Sequence, residues 1–271
     1  MTPQETLSYF VQERWHILQR RLEGAPKPWS QDPIFQSVYF CNIRREDDKT
    51  TKYIRDWLLP VHWSELAPYF VLARMINRPE TLGELGTSIP WNPEPILRNL
   101  KRLRGEGHQI FSGAYLITTC GEKMDKLDYV MRVASDAYFL TGIKDTCGEQ
   151  WKNLTGVKGL GSFLAAQIVA DMKNTWGHLL QEAEDWWTFA APGPGSIRGL
   201  NYLNGRPPDK GLNMTDFLED LEGAKFVIEQ RCDVPPLCNQ DLQNCMCEYS
   251  KYMRVQDGGR TKRNYDGLCK S

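Results

Sequence analysis

Residues 154–171 read LTGVKGLGSFLAAQIVAD, and this stretch decides how the chain folds. Gly159 and Gly161 bracket one apolar residue, Leu160, and Ala165 and Ile168 follow at helical spacing. The run predicts a helix-hairpin-helix, in which Leu160, Leu164 and Ile168 seat the second helix in the core. Glycine permits the backbone of a tight turn, and the N–H groups at the start of the next helix point outward with the positive dipole end behind them. Such a turn accepts a phosphate without any basic side chain. Gly159, Gly161 and Ser162 are therefore the expected contacts to a nucleic-acid backbone. An ordinary glycine-rich turn between helices has the same local pattern, and the downstream sequence separates the two.

One helix further on, Glu184-Asp185-Trp186-Trp187 leads into Ala191-Pro192-Gly193-Pro194-Gly195-Ser196-Ile197-Arg198-Gly199. In outline this resembles DNA glycosylases of the helix-hairpin-helix superfamily, where a catalytic aspartate lies about one helix past the hairpin, beside the pocket for a flipped base. The resemblance gives Asp185 that role, with a helix cap as the other reading of its position. Phe163 occupies the place where bifunctional members carry a lysine, which argues against Schiff-base chemistry there. The Pro-Gly-Pro-Gly-Ser segment is expected to be a loop. Its amides, notably at Gly195, together with Ser196 and Arg198, suit a phosphate or pyrophosphate, arginine being fitted to bidentate phosphate contact.

A length of 271 residues, 41% hydrophobic and 25% charged, suits one large globular domain or two closely packed ones. A net charge of −1 advertises no nucleic-acid binding, so any such contact has to be local; Lys101, Arg102 and Arg104 make one basic patch or simply a solvated helix face. No signal peptide pattern opens the sequence and no apolar run approaches membrane-spanning length, from which a cytoplasmic protein is expected. Cys232, Cys238, Cys245 and Cys247 cluster near the end, but their gaps fit neither an iron–sulfur loop nor paired CxxC zinc ligands, and free thiols are the expectation.

Apolar periodicity predicts a mostly α-helical protein, and the resemblance to the glycosylases implies a helix-hairpin-helix, glycosylase-like fold. The helices expected are Glu5–Leu22, Asp32–Leu59 with an interruption near Arg44–Lys49, Glu65–Asn77, one starting near Glu94, Met124–Thr141, Gly161–Thr175 and Phe217–Gln230. Ala114–Thr118 is the best strand signal. The expected organisation is a single unit over 1–271, with an N-terminal helix and joint at 1–28, the hairpin and active-site loop at 150–200, and a loose basic tail at 255–271.

Polar groups in apolar contexts need partners, and so mark places to look for function. Asn42, Arg45 and Asp48 recur at intervals of three, which on a helix would present an amide, a guanidinium and a carboxylate on one face. The same spacing serves an internal ion-pair network. Gly113-Ala114-Tyr115 places small residues before a tyrosine, which lines a pocket or packs a turn. Glu248, Lys251 and Tyr252 share one side of a helix, where Glu248 and Lys251 are a turn apart and suited to a salt bridge.

The matching stretches Trp29–Ile34, Phe40–Arg45 through Asp48, Ile89-Pro90-Trp91, Phe111–Tyr115, the hairpin, Pro194–Leu200 and Cys247–Tyr252 together resemble the α-glutamyl/putrescinyl-thymine pyrophosphorylases. That family includes the helical domain attached to 5-hydroxymethyluracil DNA kinases of phages. Cys41 stands where a threonine is usual, and Ser250 where an aspartate is expected. The resemblance implies DNA hypermodification: phosphorylated 5-hydroxymethyluracil in DNA exchanges its phosphate or pyrophosphate for an amine, an amino acid or a polyamine. It implies Asp185, Glu248 and Lys251 as the reacting groups, with Asn42, Arg45, Asp48, Tyr115, Gly195, Ser196 and Arg198 around the phosphorylated base. Mg²⁺ accompanying the pyrophosphate is the one cofactor expected. The sequence holds no GxxxxGK[ST] run, so a separately encoded kinase is the expected source of the phosphorylated base. A glycosylase that excises a modified base and a non-catalytic DNA-recognition module are the alternatives.

Overall fold

The computed structural model describes residues 1–87, 90–113, 117–140, 144–175 and 179–259. Among them the regular structure is helical, in twelve α-helices: α1 (Pro3–Leu22), α2 (Pro33–Ser37), α3 (Lys49–Leu58), α4 (Leu66–Ile76), α5 (Pro79–Leu85), α6 (Pro93–Gly105), α7 (Lys126–Leu140), α8 (Cys147–Thr155), α9 (Ser162–Lys173), α10 (Pro194–Leu203), α11 (Met214–Arg231) and α12 (Asn239–Gln256). The mostly-α class expected from periodicity is thus observed. The strand signal at Ala114–Thr118 falls largely on residues 114–116, outside the described residues, as do Tyr115 and the basic run from Arg260. No helix among the described residues is long and apolar enough to cross a membrane.

The chain divides into two compact units, one of residues 1–47 with 187–271 and one of residues 48–186. In the first, α1 starts with a reciprocal capping box: Thr2 Oγ1 accepts from Glu5 N, and Glu5 Oε2 accepts from Thr2 N at 2.8 Å. Its apolar face of Leu7, Phe10, Val11, Ile17 and Leu18 is buried. Phe10 stacks on Phe35 at 5.6 Å between ring centroids and meets Phe40 edge-on at 5.5 Å. Asp32 caps α2 by accepting from Ile34 N at 2.7 Å, and its other oxygen accepts from Tyr252 Oη at 2.8 Å and Tyr9 Oη at 3.2 Å. One short aspartate therefore ties α1, α2 and α12 together.

In the second unit α4 is apolar almost all round and buried along nearly its whole length. It packs against α7 and α9. The charged residue within it, Arg74, forks onto both oxygens of Asp171 on α9, and also donates to Thr51 Oγ1 at 3.0 Å and Asn77 Oδ1 at 3.2 Å. A charge so deeply buried persists only with such partners.

Helices α8 and α9 pack against each other across the turn at residues 156–161. Gly159 has φ +108°, which disfavours any side chain, and a Cβ there would lie 2.6 Å from Tyr129 Oη and 2.8 Å from Val133 Cγ2 on α7. Glycine at 159 thus both makes the turn and lets it sit on α7. Gly161, the N-cap of α9, has an ordinary extended backbone and open space at its Cβ position, so neither conformation nor packing demands glycine there. Leu160 and Ile168 are buried as expected, whereas Leu164 is only half-buried.

Two expected elements differ. Residues 32–59 are not one interrupted helix: α2 is a single short turn, Val38 closes it in extended conformation, and the chain stays non-helical until a 3-10 turn at Arg45–Asp47. Buried Val38, Phe40 and Ile43 hold this segment by β-type and irregular spacing rather than by a helical stripe. The Pro-Gly-Pro-Gly-Ser segment is not a loop either, because Pro194 stands in the first turn of α10, where its fixed φ and missing N–H cost nothing.

Candidate functional site

The residues picked from sequence fall into a group in each unit. In the first unit the extended segment 39–47 runs along α12, and polar side chains join them. Glu248 Oε2 accepts from Cys41 N at 3.0 Å and from Lys251 Nζ at 2.7 Å, and Lys251 also donates to Tyr39 O at 3.0 Å. Its ammonium lies 5.1 Å from the centre of the Phe40 ring. Asn42 is a hub: its Oδ1 accepts from Arg14 Nη2 at 3.1 Å, and its Nδ2 donates to Asp47 O at 2.8 Å. Arg14 Nε donates to Cys41 O at 3.1 Å. Burial holds the Arg14 pKa down, against the raising influence of Cys41 and Glu248. Arg45 is buried, and its backbone N–H donates to Asp241 Oδ1 at 2.7 Å.

Asn42, Arg45 and Asp48 therefore do not share a helix face. Asn42 lies in the extended segment, Arg45 in the 3-10 turn, and Asp48 at the N-cap position of α3 in the second unit. Asn42 and Arg45 still meet α12, through Asn244 Nδ2 donating to Asn42 O at 3.3 Å and through Asp241. Arg14 was missed from sequence although a signal was there. It occupies the apolar face of α1 in series with Leu7, Phe10, Val11, Ile17 and Leu18, where a charge has no place unless it is paired.

Ser196 is 1% exposed and its hydroxyl is spent on the start of α10, donating to Gly193 O at 3.0 Å and accepting from Gly193 N at 3.2 Å. Gly195 and Gly199 face α12, where a Cβ would strike Cys247 and the backbone of Met246 respectively. These small residues serve close helix packing. Arg198 is partly exposed, its nearest acidic partner being Asp209 at 3.9 Å. Burial pushes the Cys247 thiol up to about 11, with Glu248 adding to the rise and Lys251, Arg198 and Arg254 opposing it, which makes Cys247 a poor nucleophile at neutral pH. Ser250 is buried on the same helix.

In the second unit Asp185 caps a helix. Its Oδ1 accepts from Cys147 N at 2.7 Å and its Oδ2 from Gly148 N at 2.8 Å, so both oxygens hold the first turn of α8. Asp185→Ala is expected to cost about 1–2 kcal/mol of stability through loss of this cap. Thermal denaturation checks it, and an unchanged Tm would show that the cap is dispensable. At the other end of the hairpin, Gly161, Ser162 and Phe163 are exposed together at the start of α9, with Ser162 O accepting from Trp151 Nε1 at 3.1 Å. The basic patch on α6 is neutralised: Lys101 pairs with Asp128, Arg102 with Glu106 and Arg104 with Asp125, each at 2.7 Å.

Among the described residues no group of three or more His, Cys, Asp or Glu side chains is placed to hold a metal ion. The late cysteines turn to separate partners, Cys232 to Ser8 O, Cys238 to Asp241 and Cys245 to Ile43 O.

A family model described as the helical domain of 5-hmdU DNA kinase matches residues 3–260. The 5-hmdU DNA kinase of Bacillus phage SP10 is 26% identical, over 95% of this chain and 46% of the phage protein, so the chain spans less than half the length of that relative. No solved structure matches the chain.

Proposed function

The chain belongs to the family of 5-hmdU DNA kinase helical domains, and from that premise we propose that it acts in the hypermodification of thymine-like bases in DNA. The reaction assigned is replacement of the phosphate or pyrophosphate on the 5-methylene of phosphorylated 5-hydroxymethyluracil by an amine, an amino acid or a polyamine. The bond from the methylene carbon to the leaving oxygen breaks, a carbon–nitrogen bond forms, and the ammonium gives up a proton to become a nucleophile. In a duplex this methylene lies in the major groove, where a buried nucleophile and several catalytic side chains cannot close around it, so the base is flipped out to react. Gly159, Gly161 and Ser162 hold the DNA backbone in this reading, and a separate kinase supplies the phosphorylated base.

The observation that supports this chemistry is Glu248. Both hydrogen bonds to this buried carboxylate fall on Oε2, from Lys251 and Cys41 N, which leaves Oε1 to receive the ammonium of the incoming amine and take its proton. Arg198, Lys251 and Arg45 supply positive charge for the departing phosphate. Asp185, whose oxygens are both engaged, acts in this scheme by fixing the first turn of α8, the first helix of the hairpin.

The test is mass spectrometry of nucleosides digested from DNA bearing phosphorylated 5-hydroxymethyluracil, after incubation with the protein and a pool of amino acids and polyamines. A nucleoside carrying an amine adduct is expected. Release of free base would make the protein a glycosylase, and unchanged DNA that still binds it would make it a recognition module; either result overturns the transferase reading.

A further inference from the structure

Within the first unit lies a cavity of about 410 Å³ that none of the preceding assignments uses. Its size is that of a small-molecule site. Three cationic side chains line it, Arg14, Arg21 and Lys27, and there is no acidic residue among its described lining residues. Aromatic rings supply much of the remaining wall, with Trp29 and Phe40 foremost.

The Trp29 ring is held in place, its Nε1 donating to Ala25 O at 2.7 Å and its backbone carbonyl accepting from Arg20. Over that ring stand the guanidinium carbon of Arg21 at 5.5 Å and the ammonium of Lys27 at 5.0 Å from its centre. Arg14 lines it too, 5% exposed and anchored to Cys41 O and Asn42. Gathering like charges around an apolar space is unfavourable, and Arg21 adds to the depression of the Arg14 pKa. An anion inside the space would turn that repulsion into attraction.

We propose that this cavity binds a phosphate monoester joined to a pyrimidine, the chemistry of a pyrimidine nucleotide. A phosphate monoester near neutral pH carries about −1.5 to −2 charges, which matches three cations better than a single carboxylate does. Arginine offers it two parallel donors, and the half-buried indole of Trp29 gives the ring an aromatic wall. The same chemistry comes from two sources, a free nucleotide or a phosphorylated base swung out of DNA. The assignment rests on the cavity; its free-nucleotide source is independent of the amine-transfer reading, and its phosphorylated-base source rests on that reading.

Calorimetric titration of the full chain tests it with four probes: thymidine 5′-monophosphate, thymidine, inorganic phosphate, and an oligonucleotide bearing phosphorylated 5-hydroxymethyluracil. The monophosphate is expected to bind about ten-fold or more tightly than thymidine or phosphate alone, and Arg21→Ala and Lys27→Ala each to weaken it by about ten-fold. Both residues are exposed, and unchanged melting temperatures are expected to show both variants folded. Binding of the oligonucleotide without the free nucleotide, lost in the Arg21→Ala/Lys27→Ala double variant, supports the cavity as the seat of a flipped base. Binding of phosphate as tight as that of the monophosphate overturns the proposal, as does nucleotide binding undiminished in the double variant or no binding by any probe.

Discussion

Gly199→Ala destabilises the protein by about 3 kcal/mol or more, because overpacking against a backbone cannot be relieved by a rotamer change. A methyl group at 199 would drive into the carbonyl of Met246, with the carbonyl carbon only 2.8 Å away. Helices α10 and α12 would have to separate, and α12 carries Glu248 and Lys251. Gly195, one turn earlier, meets mainly the thiol of Cys247, a side chain with some freedom to turn, so Gly195→Ala is the milder change. The internal control is Gly223 on α11, where a Cβ meets nothing within 4 Å. Replacing it by alanine removes a poor helix former and adds up to about 1 kcal/mol of stability. Urea unfolding of the two variants should move in opposite directions; equal midpoints would show that the α10–α12 contact is not tight.

Arg74→Met has the other large effect, a loss of about 3–5 kcal/mol, since it strands a buried carboxylate without its counter-charge. Arg74 and Asp171 have side chains only 3% and 1% exposed, so water cannot take over the role of the missing partner. The loss falls on the hairpin, because Asp171 belongs to α9 and Arg74 links it to α3 through Thr51. Pairing the change with Asp171→Leu should recover most of the stability, as apolar replacements of buried ion pairs commonly do. A double-mutant cycle read by denaturant unfolding separates the terms. A single variant within about 1 kcal/mol of the parent would contradict the account, because it would place the pair in contact with solvent.

Long apolar stripes were legible. The α4, α9 and α11 segments announce themselves by helical spacing, and Gly159 announces the hairpin, because these are local properties of the chain. Spacing failed where tertiary contacts decide. Asn42, Arg45 and Asp48 fall three apart by accident of an extended segment followed by a 3-10 turn, and only the positions of Val38, Phe40 and Ile43 hint at it. Around residue 195, glycines that read as a loop lie in a helix and face a second one, and no local pattern reveals the helix lying against them. Arg14 and Arg74 were readable in principle. Each is a charge in the apolar row of its own helix, and such a charge has to find partners from distant sequence. Those partners, Asn42 and Asp171, could not be named without the fold.

The most direct test follows the label on a phosphoryl group. DNA carrying 5-hydroxymethyluracil phosphorylated with radioactive phosphate is incubated with the protein, with and without an amine, and the solution and the DNA are counted separately. The account predicts amine-dependent release of label as phosphate or pyrophosphate, with the base still attached to its sugar. Label that stays on the DNA in the presence of every amine, or leaves still joined to a free base, would contradict it.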